Sequence, residues 1–353
     1  MNQPTPAELG YFMPAEWERH AATWLSWPKD PLTWPERVPQ VQEIFLQMIA
    51  ALSPHELVNL LVDDAETEAL VRQRSVFPGA GNVRFHRLPT VDSWIRDYGP
   101  NFLLNRKMPA LAYNDWIFNA WGNKYEELKR DDSIPTQLET TLAVQRFEPG
   151  IVMEGGSIEV NGAGIVMTTE QCLLNPNRNP KLDREGIEDY LKNYLDVQQV
   201  LWLGEGIVGD DTDGHIDDIA RFAGPDVIIC ALEEDPADAN YELLQDNLRR
   251  VQQATDLNGR KFEVVTLPMP GVVAASNDNS PRALDRLPAS YANFYIANNV
   301  VLAPIFGHAN DKRALDTLQR VFPTRRIVAI NCEPLVWGMG TIHCVTQQQP
   351  AQV

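Results

Sequence analysis

Residues that mark the commonest cofactor sites and secreted scaffolds are scarce in this sequence. Its 353 residues include four cysteines, Cys172, Cys230, Cys332 and Cys344, and six histidines. No Cys-x-x-Cys and no His-Glu-x-x-His occurs, so the usual zinc signatures are missing and no metal or other cofactor is expected. Four scattered thiols do not form a disulfide framework and point to a reducing compartment. No run of 18 apolar residues is present, which excludes a membrane-spanning helix on hydropathy grounds. Met1 to Gly10 has neither a basic start nor an apolar stretch, so a cytoplasmic location is the expectation. Positive charge is also short: 30 Lys and Arg stand against 48 Asp and Glu, a net charge of −18. Nucleic acid and anionic membranes need clustered Lys and Arg, so neither is an expected partner. The balance is compatible with a small cationic substrate. Self-association into a homo-oligomer is left open.

What is present belongs to a globular chain, 44% hydrophobic and 22% charged. Periodicity predicts a strand over Ala22–Trp27, a helix over Val38–Leu52, a strand over 56–62, a helix over 64–74 and a strand over 83–88. After that, one order repeats: strand, turn, strand, helix, strand. The repeats start near Trp94, Gly156, Ile216 and Asn293, about 60 to 77 residues apart, which reads as one supersecondary unit copied several times. The N-terminal stretch would be a fifth unit lacking one strand. The alternating run from Thr341 to Gln348 is expected to supply it and to close the array. In that strand Ile342, Cys344 and Thr346 would share one face. Residues 114–136, with Trp116 and Trp121, read as an irregular segment able to cover a pocket, and its charged run from Lys124 to Asp132 as a solvated face.

Polar residues collect at the unit boundaries. Asp97 stands at the first, Glu154 before Gly155-Gly156 at the second, and His215 and Asp217 at the third. Cys344 follows the Gly338-Met339-Gly340 bend before the closing strand. Taken singly, Cys344 is better read as a buried structural thiol, His215 as a packed histidine and Glu154 as a loop cap. Equivalent positions of a cyclic repeat converge, however, and as a set these residues match one chemistry. Two carboxylates, Asp97 and Asp217, suit a planar guanidinium with several N–H donors. Cys344 would attack its central carbon, with the bound cation lowering the thiol pKa. His215 would protonate the leaving nitrogen and later deprotonate water, with Glu154 orienting it. The remaining histidines, His343 included, are assigned to structure or surface, with His343 a weak alternative base. Cys230 belongs to the core, whereas Cys172 and Cys332 show no partner set.

Five ordered stretches are similar to the agmatine deiminase family, which is grouped with the bacterial-type peptidylarginine deiminases. They are Trp94–Pro100, Glu154-Gly155-Gly156, Leu173–Pro180, Gly214–Asp217 and Ile342–Gln348, and the likeness begins at Met13-Pro14-Ala15-Glu16-Trp17-Glu18. The resemblance implies an α/β fold, a five-bladed α/β propeller of the pentein superfamily about a pseudo-fivefold axis, as one deiminase domain over 1–353. It implies a cytoplasmic hydrolase that turns agmatine into N-carbamoylputrescine and ammonia through a covalent thiouronium, without metal. Cys344 would be nucleophile, His215 acid and base, Glu154 its partner, and Asp97 and Asp217 the guanidinium clamps. Asp211 would face the far end of the substrate, with Trp94 and Trp121 as walls for its alkyl chain. The chain departs from the family pattern at Gly338-Met339-Gly340-Thr341, where Gly-Gly-Gly-Asn is usual, and at Asp211-Thr212-Asp213-Gly214, where Glu-Thr-Asn-Gly is usual. Asp213 adds a negative charge that would favour an amine tail. The alternatives are a peptidylarginine or free-arginine deiminase, an amidinotransferase, a non-catalytic ligand-binding propeller, and a metallohydrolase built on His215, Asp217 and Cys344.

Overall fold

The computed structural model describes residues 4–274 and 286–352. The expected unit recurs in it. In one copy, strand Glu159–Val160 pairs antiparallel with Ile165–Thr169, which pairs in parallel with Gln199–Leu203. The same pattern joins Ala220–Gly224, Val227–Leu232 and Glu263–Pro268, and then Tyr295–Ala297, Val300–Ile305 and Arg326–Asn331. Asn101–Asn105, Leu111–Asn114 and Gln145–Phe147 form another copy, edged by Tyr11–Phe12. A parallel step needs a crossover, and amphipathic helices supply it. Arg184–Leu195, for instance, buries Ile187, Leu191 and Leu195 on one stripe and is N-capped by Asp183, which accepts from the Gly186 N–H at 3.0 Å.

The N-terminal unit starts as predicted, with strand His20–Ser26, helix Val38–Leu52 and parallel strands Leu57–Val62 and Val83–Arg87. Its antiparallel strand comes from the other end of the chain, with Gln347 opposite Trp24 and Gln349 opposite Ala22. The described residues thus form five separate sheets. The chain ends meet in one of them, as expected, but the closing strand is Gln347–Pro350 and does not begin at Thr341.

Three turns correct the sequence reading. Residues 342–345 are a turn held by the Thr346 hydroxyl, which bonds the carbonyls of Ile342 and His343 at 3.0 Å each. Cys344 therefore lies before the strand, and the proposed alternation of faces does not exist there. Gly155–Ser157 and Ile216–Asp218 are single 3-10 turns, so the units expected to open with strands near Gly156 and Ile216 open with turns instead. Side-chain bonds to nearby backbone win over ladder pairing at such positions. Ser157 Oγ, for example, donates to the Glu154 carbonyl at 2.6 Å.

Strand residues and residues of the turns that lead into strands converge on one buried carboxylate, Glu16. Its Oε1 accepts from the Ile296 N–H at 2.7 Å and faces Arg221 at 2.9 Å. Its Oε2 faces His343 Nε2 at 2.7 Å and Arg96 at 3.5 Å. Arg221 reaches on to Glu159 at 3.0 Å. Trp34 is fully buried and donates to the Leu335 carbonyl, and Cys230 lies in the core as expected.

Candidate active site

The turns that precede the first strand of each sheet carry the polar side chains. Asp97 sits in the helical turn Ile95–Tyr98, Glu154 and His215 just before their 3-10 turns, Asp217 within one, and Cys344 in the last turn of the chain. All five are buried. Three of them gather around Gly156, where a methyl group would stand 2.7 Å from His215 Nδ1, 2.9 Å from Asp97 Oδ1 and 3.1 Å from Asp217 Oδ2. Asp97 Oδ1 accepts from the Gly156 N–H at 2.9 Å and lies 3.8 Å from His215 Nδ1. Cys344 Sγ is 3.8 Å from Asp217 Oδ2. Gly340 gives this thiol room, since a methyl there would meet Trp94 at 2.7 Å and Sγ at 3.1 Å.

Burial and like charge shape the titration. Burial pushes Asp97 up to about 6 despite the opposing pull of His215. The Cys344 thiol is driven well above its ordinary range by burial and then by Asp217, Asp218 and Asp97. Burial would lower His215, but Asp97, Cys172 and Glu154 outweigh it and hold the imidazole well above its usual value. Two buried atoms beside this pair, His215 Nε2 and Glu154 Oε2, carry no hydrogen bond. The other Glu154 oxygen accepts from Arg178 Nε at 2.7 Å.

A cavity of about 370 Å³ opens onto Asp97 and Cys344. Trp94, Trp121 and Asp211 line it, as do Asp30, Asp92, Glu126 and Glu127. The segment expected to cover a pocket does line this one, through Trp121 and Lys124–Leu128. Trp121 lies in a left-handed run, with φ of 56° at Ala120, 53° at Trp121 and 65° at Asn123, and donates from Nε1 to Asp97 Oδ2 at 2.9 Å. The charged run is not wholly solvated: Asp131 is buried and accepts from the Val91 and Asp92 N–H groups.

Other expectations need correcting. Asp213 is taken up by Lys124 at 2.8 Å, Asn177 at 2.9 Å and Arg178 at 2.5 Å, so its charge is already neutralised and is not offered to a substrate amine. His343 is neither a surface residue nor placed as a base; it bridges Asp217 and Glu16. Cys172 does have partners, because its thiol, a Glu154 oxygen and a His215 nitrogen lie within 4.8 Å of one another. Asp217, Asp218 and Cys344 form a second such group. The donors named for a metallohydrolase, His215, Asp217 and Cys344, are thus divided between two groups among the described residues.

Sequence reasoning missed Asn293. Its Nδ2 lies 3.2 Å from Cys344 Sγ, and its Oδ1 accepts from the His343 N–H at 2.9 Å and the Thr341 hydroxyl at 2.7 Å. The signal was available, since Asn293 opens the fourth unit where Asp97, Glu154 and His215 open the others.

A thiol and a carboxylate that open onto an acidic cavity, with a second carboxylate and an imidazole buried beside them, suit attack on a planar cation. Comparison with known proteins gives the family. Residues 12–350 match the model for the Porphyromonas-type peptidyl-arginine deiminase, and the chain belongs to that family. It is 38% identical to agmatine deiminase of Medicago truncatula over 372 residues, 98% of each chain. The structure of Enterococcus faecalis agmatine deiminase superposes with a TM-score of 0.92 at 35% identity, covering 100% of this chain and 99% of that one. A Cys-to-Ser variant of C. jejuni agmatine deiminase with substrate bound superposes at 0.86 with 27% identity, over 97% of both chains. The fold is the α/β fold of these enzymes.

Proposed function

We infer that this chain hydrolyses the guanidinium group of agmatine to N-carbamoylputrescine and ammonia. The observation that carries this reading is the meeting of Asp97, Asp217 and His215 around Gly156, with Cys344 3.8 Å from Asp217. A guanidinium between the two carboxylates brings further positive charge to the site. Its field offsets the carboxylates that hold the Cys344 thiol protonated, so the thiol releases its proton to solvent and the thiolate forms beside bound substrate. The thiolate adds to the guanidinium carbon. His215 gives its proton to a terminal nitrogen as the C–N bond breaks, and ammonia leaves a thiouronium on Cys344. Water then adds to that carbon while His215 takes back a proton. As the C–S bond breaks, the hydroxyl proton of the adduct passes to the leaving sulfur, which frees the ureido product and restores the resting thiol. Glu154, fixed by Arg178, stabilises the charged imidazole.

The acids of the cavity mouth, Asp211 among them, suit the amine tail of agmatine better than the carboxylate of free arginine. Trp94 and Trp121 flank the alkyl chain. The five sheets are read as blades of one propeller about a pseudo-fivefold axis, a single deiminase domain with Glu16 near its centre. The test is ammonia and ureido product formation from agmatine, arginine and a blocked arginyl peptide side by side, with Cys344→Ala as control. Selective turnover of agmatine is expected. Preference for an arginine substrate would keep the chemistry and discard the substrate, and no turnover of any of the three would overturn the reading.

A further inference from the structure

The proposed chemistry leaves two features unused: Glu16, in the Met13–Glu18 stretch, and His343, the neighbour of the nucleophile. We propose that His343, braced from behind by Glu16, is a positioning residue that sets the Asp217 carboxylate for the guanidinium. The inference rests on the reading of Asp217 as a guanidinium clamp.

Asp217 is fully buried, and its two oxygens are treated differently. Oδ2 lies 2.7 Å from His343 Nδ1, while Oδ1 has no hydrogen-bond partner. A carboxylate tied down through one oxygen, with the other left open, is arranged to receive an N–H donor. Its two acidic neighbours show what His343 contributes. Asp97, Asp217 and Asp218 are all buried close together, and burial pushes Asp97 and Asp218 up. Burial acts on Asp217 too, but the hydrogen bond and charge of His343, with His215 and Arg221, hold that carboxyl below its usual range.

The far side of the ring is equally fixed. His343 Nε2 stands 2.7 Å from Glu16 Oε2, and Glu16 is held by Arg221, Arg96 and the Ile296 N–H. Both ring nitrogens face carboxylate oxygens at hydrogen-bond distance, so neither is open to a substrate or a water for base work. Its backbone is pinned as well, since the His343 N–H bonds Asn293 Oδ1, which also lies 3.5 Å from Cys344 Sγ. One short loop thus carries the nucleophile and the strut that orients a clamp.

The two ring nitrogens can be replaced separately. In His343→Asn the amide stands where Nδ1 was and can still donate to Asp217. In His343→Gln it stands where Nε2 was and can reach Glu16, leaving Asp217 without its donor. Both variants are compared with wild type for thermal midpoint, kcat and KM toward agmatine, with Asp217→Asn in parallel. The expected result is that both variants fold, that His343→Asn keeps kcat/KM within about threefold, and that His343→Gln loses tenfold or more with a raised KM. Equal losses in the two variants, or a greater loss in His343→Asn, would overturn the proposal. So would lower thermal midpoints with unchanged kinetics, because they would make His343 a stability residue alone. If Asp217→Asn turns over agmatine like wild type, the clamp reading falls and this proposal with it. An inactive Asp217→Asn beside equal His343 variants removes this proposal only.

Discussion

Cys344 sits among Asp97, Asp217 and Asp218, and burial with those charges drives its thiol well above the ordinary range. The thiolate is the reactive form, so the free protein should be alkylated slowly by neutral iodoacetamide at pH 7, with a rate still climbing above pH 9. A cationic haloacetamidine, which brings its own positive charge to the carboxylates, should label Cys344 at neutral pH at least tenfold faster than the matching neutral amide. A labelling rate that levels off below pH 8 in the free protein would contradict this electrostatic account. Gly156 makes a second residue-scale test. Its substitution by alanine places a methyl group within 3.1 Å of His215, Asp97 and Asp217, and displacements of about 1 Å at a reacting centre can cost ~100-fold. Gly156→Ala should fold, by its thermal midpoint, yet lose about that much turnover. The chemical identity of these residues was legible because their types form one reaction set. Their geometry was not, since turns held by Thr346 and Ser157 hydroxyls carry no period in the sequence.

At the scale of elements, the strands and helices with a clear period came out nearly where the sequence places them, helix Val38–Leu52 to the residue. Strands at the site came out shorter than predicted because their first residues are spent on turns that aim side chains at the centre. The left-handed run at Ala120–Asn123 was hidden, since only Gly122 and Asn123 hint at positive φ. The closing strand Gln347–Pro350 tests how far one element holds the others. Gln347 Nε2 donates to the Pro100 carbonyl at 2.9 Å, and Gln348 Oε1 accepts from Arg96 at 2.7 Å. A chain ending at Thr346 keeps Cys344 but loses both bonds and uncovers the edge of strand His20–Ser26. It should unfold at much lower urea, by several kcal/mol (roughly 3 or more). Native-like stability of that shortened chain would show that the terminal strand is an ornament of the fold.

Over the whole molecule, the buried acids whose protons are held more tightly and a net charge of −18 act in one direction between pH 5.5 and 8. Burial raises Asp92 to about 7, and Asp97 and Asp131 to about 6. A carboxyl whose folded pKa lies above its unfolded value retains a proton that the unfolded chain releases. Stability from such groups therefore falls as pH rises from about 4 toward 7. His215, also raised, contributes in the same sense, because its stabilisation is lost as pH passes its folded pKa. A tenfold difference in proton affinity between the folded and unfolded chain corresponds to about 1.4 kcal/mol, so the ligand-free protein should resist urea better at pH 5.5 than at pH 8 by a few kcal/mol. An unreactive guanidine should recover part of the loss at pH 8. Greater stability at pH 8 without ligand would contradict this balance. The repeat made the number of sheets legible, but not the junction at Glu16. One acid in a Pro-containing N-terminal stretch looks like a surface residue until Arg96, Arg221, Ile296 and His343 are in place around it.

The central claim is a covalent bond between Cys344 and the guanidinium carbon, and one measurement addresses it directly. The protein is mixed with agmatine, quenched in acid during turnover, digested and mapped by mass. The account predicts that the peptide holding Cys344 gains the mass of agmatine less ammonia, and that Cys344→Ser neither turns over substrate nor carries this adduct. Full turnover with an unmodified Cys344 peptide, and activity retained in Cys344→Ser, would contradict it.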